Sequence, residues 1–147
     1  GPCLAWEKQL GVSVELEDIV GGDAKASLHG VNPPQVWVLG WMADYPDAHN
    51  FEQALLHPAS GANETGWTAT APGAKVFSDL VEQAAVEQDE EVRRALYLKA
   101  ADIALVQQAV AVPLWHSQAA SLTKPYVTRT YARTGSEQYG SWRVKRP

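Results

Sequence analysis

Apolar residues recur along this chain in two rhythms. Val12, Val14 and Leu16 alternate with Ser13, Glu15 and Glu17, the period of a strand with one exposed face. From Gln35 to Trp41, and again from Ala109 to Trp115, the apolar character is nearly unbroken. Such runs predict strands covered on both faces, as in a parallel sheet. A helical period takes over between them. Phe77, Leu80, Val81, Ala84 and Ala85 form one stripe, and Val92, Leu96, Lys99 or Ala100, Ile103 and Val106 another. Asp89-Glu90-Glu91 supplies a cap and favourable charge at the positive end of the second helix. The two stripes therefore predict an antiparallel helical hairpin.

Shorter elements flank these. Leu4 to Leu10 reads as helix, with Leu4 and Trp6 turned to a core and Gly11 as a left-handed stop. The polar stretch Asp18 to Asn32 has room for a short helix around Ala24 to His29. Phe51 to Leu56 reads as a short helix capped by Asn50. Tyr126, Val127, Tyr131, Trp142 and Val144 have strand-like spacing and predict a strand pair near the end. The order of elements predicts an α/β fold, with α+β as the other arrangement.

Composition narrows the function classes. The 147 residues are 46% hydrophobic and 20% charged, the balance of a single globular domain with a buried core. The longest apolar run, Val36 to Ala43, is far short of the roughly 20 residues of a membrane-spanning helix. Cys3 stands alone, so neither an internal disulfide nor a Cys-rich metal site is available. There is no leader with a basic start and an apolar stretch. Gly1-Pro2 has the look of a cleaved expression tag, and the helix at Leu4 lacks a cap; both suggest a chain cut from a longer one.

The formal net charge of −5 conceals two unlike parts. Residues 1–117 hold six basic and sixteen acidic side chains, whereas residues 118–147 hold six basic ones and only Glu137. A basic end can indicate nucleic acid, but Lys124, Arg129, Arg133, Arg143, Lys145 and Arg146 are interleaved with strand-spaced apolar residues. Solvated charges on a strand pair account for them.

The densest chemistry lies in Asp44-Tyr45-Pro46-Asp47-Ala48-His49-Asn50, a polar loop at the carboxyl end of a buried strand, where open α/β sheets place ligands. Asp44, Asp47 and His49 are candidate metal ligands, and Asp44 and Asp47 with either His49 or His116 would serve a small metal-dependent hydrolase. Their spacing, however, matches neither a helical pair of histidines nor a calcium loop. No Gly-x-Ser-x-Gly elbow and no phosphate-cradling glycine cluster occurs. What remains is a carboxylate among aromatics. Trp41 and Tyr45 flank Asp44, Trp37 and Trp41 share a face of the expected strand, and Trp67 lies in the long loop 57–73. A desolvated Asp44 needs a cation, which an ammonium ligand or an internal Lys or Arg would supply; the other reading is that Asp44 caps a turn. Trp67 is either a plug into the core or a ligand-facing ring.

Gly40-Trp41-Met42-Ala43-Asp44-Tyr45-Pro46-Asp47 followed by Asn50-Phe51 resembles the signature loop of the family 5 extracellular solute-binding proteins, the peptide-binding components of ABC importers. The resemblance extends in order through Leu10-Gly11-Val12, Val14-Glu15-Leu16, Asn63, Gly66-Trp67 and Asp79-Leu80-Val81 with Ala84. It continues through Asp89, Arg93, Leu96-Tyr97, Ala101, Val112-Pro113-Leu114 and Lys124-Pro125. Met42 departs from members with Cys there, so that subgroup's disulfide is missing.

Members of that family are much longer and clamp a ligand between two hinged lobes. The resemblance implies an α/β fold forming part of the C-terminal lobe of a type II binding protein: residues 3–117 in the second lobe and 118–147 as a crossover returning to the first. It implies a non-enzymatic role without a cofactor, outside the cytoplasm. Its partners would be a peptide or related small solute, the first lobe and an ABC permease, with no nucleic acid. Asp44 matches the position that receives a peptide's α-ammonium, and Trp41 a cleft-lining aromatic. Tyr45, Trp37 and Trp67 complete the expected ligand-binding set.

Overall fold

The structure is a computed structural model that describes residues 2–17, 24–28, 30–118, 120–133, 135 and 137–145. Gly1, His29, Arg146 and the connection 18–23 lie outside the described residues. The chain divides into two compact units, Gly1–Val38 and Leu39–Pro147.

The first unit contains α1 (Pro2–Leu10) and α2 (Ala24–Leu28). Pro2 stands in the first turn of α1, where its missing N–H costs nothing. Gly11 ends the helix as expected: its φ is 66°, and its N–H donates to Glu7 O at 3.0 Å. Trp6, expected in a core, is instead 42% exposed.

The expected strand Val12–Leu16 does not form. The Val14 N–H donates to the Glu7 carboxylate at 3.1 Å rather than to a neighbouring strand. The runs Gln35–Trp41 and Ala109–Trp115 are likewise unpaired, and Val36, Val38, Val112, Leu114 and Trp115 are exposed. Alternation and apolarity suit a residue to a sheet, but a strand exists only where another strand bonds to it. No described segment pairs with these runs, so the α/β sheet expected from the sequence is absent among the described residues.

The core of the second unit is the helical hairpin, α3 (Ala74–Val86) and α4 (Glu90–Ala101), with α4 continuing into a wider turn, Asp102–Gln107. Asp89 caps α4 as expected, its Oδ1 accepting from Glu91 N and Val92 N, each at 3.0 Å. Of the first stripe, Phe77, Val81 and Ala84 are fully buried and Leu80 packs partly against the core, while Ala85 is exposed. Of the second, Ala100 is buried and Leu96 and Ile103 pack partly against the core as expected, whereas Val92 and Val106 at its ends are exposed and Tyr97 and Ala104 are buried as well.

Gly73 joins the long loop to α3. Its φ is 75°, and a Cβ there would stand 3.0 Å from Ile103 Cγ2 and Gln108 Cγ. The loop itself is held by its own side chains. Asn63 Nδ2 donates to His57 O and Trp67 O, and Ser60 Oγ donates to Ala54 O at 2.6 Å. Trp67 is 9% exposed and packs edge-on against Phe77, with ring centroids 5.0 Å apart.

The expected strand pair near the end is present. β1 (Val127–Thr128) runs antiparallel to β2 (Arg143–Val144), with Val127 opposite Val144. Arg129 lies over the rings of Trp142 and Tyr131 at 4.6 and 5.4 Å and pairs with Glu137. That basic charge is therefore neutralised within the segment. No helix among the described residues is long and apolar enough to cross a membrane.

Candidate functional site

The expected binding loop leads into a helix, Asn50–Leu56, whose bonds have the wide i→i+5 pattern found often at functional positions. Asn50 is not its cap. His49 holds the cap position without a side-chain capping bond, and Asp47 supports the approach to the helix, its Oδ1 accepting from His49 N at 2.8 Å and its carbonyl from Asn50 N at 3.1 Å. Asn50 lies inside the first turn at 1% exposure, and its amide is spent backwards on the loop. Its Oδ1 accepts from the Trp41 indole N–H at 2.8 Å and from Asp44 N at 3.4 Å, while its Nδ2 donates to Asp44 Oδ2 at 3.4 Å. A buried amide with several bonds holds one rotamer, so Trp41 and Asp44 are positioned by one side chain.

Asp44 remains exposed, and no Lys or Arg pairs with it among the described residues. Its carboxylate is thus oriented but not neutralised, the state suited to receive a cation. Tyr45 is 40% exposed, and its hydroxyl bonds to His49 Nδ1. Trp41 is half-buried. Trp67 occupies the core, its indole N–H donating to Pro72 O at 3.3 Å, which is the position of a plug. Trp37 falls in the first unit, half-buried.

Two features escaped the sequence reading. Arg93 of α4 grips Asp47 with both ends of its fork, NH1 to Oδ2 at 2.6 Å and NH2 to Oδ1 at 2.9 Å. It also donates from Nε to Ala84 O at 3.0 Å and from NH2 to the Tyr97 hydroxyl at 3.2 Å. The Arg93 hydrogen bonds hold the Asp47 carboxyl below its usual range, against the opposing effect of burial. Arg93 and Tyr97 are four apart, on one face of α4, and that spacing was the available signal. The second feature is Glu52, 6% exposed, with Oε2 buried and unpartnered. Burial pushes its carboxyl up to about 8, so it is mostly neutral at pH 7. It shares a helical face with Leu55 and Leu56, which was its only sequence signal.

The metal-site alternative meets a specific obstacle. Both Asp47 oxygens are taken by Arg93, His49 Nδ1 is engaged by Tyr45, and no three His, Cys, Asp or Glu side chains converge among the described residues. A divalent ion would have to break a bidentate ion pair to gain one ligand.

Compared with known proteins, 106 residues of the chain are 32% identical to the oligopeptide-binding protein OppA of Bacillus subtilis (strain 168). Over that stretch the chain is a distant homologue of a family 5 solute-binding protein. The match takes in 72% of this chain and 18% of that protein, so the chain spans less than a fifth of its relative. No protein-family model matches, and no solved structure matches. The relationship is to a binding protein, not to an enzyme family. It also covers most of this chain, so the homology does not rest on the Asp44 loop alone.

Proposed function

We propose that this chain is part of the C-terminal lobe of a peptide-type solute-binding protein, in which Asp44 receives the cationic amino end of the ligand. The observation that carries the reading is the exposed Asp44 carboxylate, oriented by Asn50 beside Trp41 and left without a basic partner among the described residues. The relative's description as an oligopeptide-binding protein supports the ligand class.

In the whole protein each lobe contributes half of the cleft, and hinge closure excludes water and strengthens the ammonium–carboxylate pair. The closed form is then offered to a membrane permease outside the cytoplasm. One lobe alone lacks the facing contacts and the water exclusion, so its affinity for peptide is weak.

The test uses the 147-residue chain, labelled with 15N, and di- to pentapeptides at millimolar concentration. The expected result is a saturable shift of the Asp44 backbone amide. It is abolished by N-acetylation of the peptide and by Asp44→Asn. Equal shifts with acetylated peptide, or micromolar affinity that survives Asp44→Ala, would overturn the assignment.

A further inference from the structure

A continuous polar relay connects the helical hairpin to the Asp44 loop. It starts at Arg93 of α4, whose guanidinium is fixed on both helices of the hairpin by three contacts: Nε to the Ala84 carbonyl of α3, NH2 to the Tyr97 hydroxyl of α4, and its Cζ 4.9 Å from the centre of the Tyr97 ring. A guanidinium held this way presents a rigid two-pronged donor. The prongs take both oxygens of Asp47. Asp47 in turn fixes the start of the Asn50–Leu56 helix through His49 N and Asn50 N. From that start, the Asn50 amide reaches back to Trp41 and Asp44.

We propose that Arg93 is a positioning residue for the binding carboxylate, acting through Asp47 and Asn50 to seat Asp44 and Trp41 as one unit on the hairpin. Its role follows from the order of the contacts. Arg93 bonds to Asp47 on the loop and, on the hairpin, to Ala84 and Tyr97; Asn50 is the side chain that turns that anchorage into an orientation for Asp44. Lysine is not an equivalent, because an ammonium is a point donor and cannot hold two carboxylate oxygens and the Ala84 carbonyl in one plane. The proposal builds on the reading of Asp44 as the ligand contact, but it concerns the ligand-free chain and is tested there.

The relay offers its own reporters. The Trp41 indole N–H belongs to the loop, and the Trp67 indole N–H belongs to the core. In the 15N-labelled 147-residue chain, Asp47→Asn and Arg93→Lys are each expected to shift the Trp41 indole and Asp44 amide resonances. Each is also expected to speed hydrogen exchange at the Trp41 indole about tenfold, with the Trp67 indole resonance and the helical circular dichroism unchanged. The double variant is expected to do no more than either single one, as a shared interaction requires.

Unchanged Trp41 and Asp44 resonances in both variants would overturn the proposal, as would additive effects in the double variant. Movement of Trp67 together with Trp41 would also overturn it, since Arg93 would then be holding the hairpin and not the loop. No peptide is present in this experiment. Its failure leaves the ammonium-binding reading of Asp44 standing, and failure of the peptide titration leaves the relay standing.

Discussion

Arg93 and Asp47, 46 residues apart in sequence, form a bidentate ion pair at 2.6 and 2.9 Å with less than a third of either side chain exposed. It joins a loop to a helix that no backbone ladder connects. Charge-assisted pairs of this geometry contribute about 1–3 kcal/mol. Asp47→Asn is therefore expected to lower the urea midpoint by a corresponding amount. The pH dependence has a definite sign. The folded pKa of Asp47 lies below the ordinary 3.8, so the contribution is present above that value and fades as pH falls through the folded value. Wild type and Asp47→Asn should converge in stability under strongly acidic conditions, which parallel urea titrations at falling pH would show.

Glu52 has the opposite dependence. Its carboxyl moves from 4.5 in the unfolded chain to about 8 in the fold, because burial leaves Oε2 without a partner. Below pH 4.5 both states are protonated and there is no penalty. Between 4.5 and 8 the folded state holds a proton that the unfolded state has released, so stability falls as pH rises, by at most about 1.4 kcal/mol per pH unit. Glu52→Gln keeps the shape and removes the titration. The expected outcome is a variant close to wild type near pH 4.5 and more stable by pH 8, read as the difference between their thermal midpoints.

These two carboxylates show where sequence reading stops. The α1 stop at Gly11, the Asp89 cap and the Phe77–Val81–Ala84 stripe were legible because each is set by residues within a turn or two. Three of the expected strands were not, since Val12–Leu16, Gln35–Trp41 and Ala109–Trp115 carry strand chemistry without a neighbour to bond among the described residues. The β1–β2 pair was legible because its partners lie close together in the chain. At the site, Asp44 and Trp41 stood out by composition, but what orients them did not. Asn50 suggested a cap and proved to be a backward tether, and the partner of Asp47 lies on a helix far along the sequence. On α4 the expected Ala100 is buried, and the residue missing from the expected stripe is Tyr97, which is buried with Arg93 over its ring.

Gly73 answers two demands at once. A side chain there would be strained at φ 75°, and its Cβ would meet Ile103 and Gln108 at 3.0 Å. Left-handed backbone alone costs a non-glycine residue about 1–2 kcal/mol. Gly73→Ala is expected to lose at least that much, because the end of the α4 extension must also shift. Urea denaturation followed at the Trp67 signal measures it, and a loss below a few tenths of a kcal/mol would contradict the close approach.

Ala109 makes the converse case. Its φ is 50°, a left-handed conformation at the close of the α4 extension, where Gln108 N donates to Ile103 O and Val110 N to Ala104 O. Helix ends of this kind favour glycine, because an alanine Cβ crowds the following carbonyl. Glycine also brings more freedom to the unfolded chain, which offsets part of the relief. Ala109→Gly is expected to stabilise by about 0.5–1 kcal/mol, visible as a rise of a few degrees in the thermal midpoint. Residues Val110 and Ala111 pack partly against the core just beyond this turn, so the turn directs the chain onto the hairpin. A fall in midpoint would mean that the left-handed turn is not retained in solution.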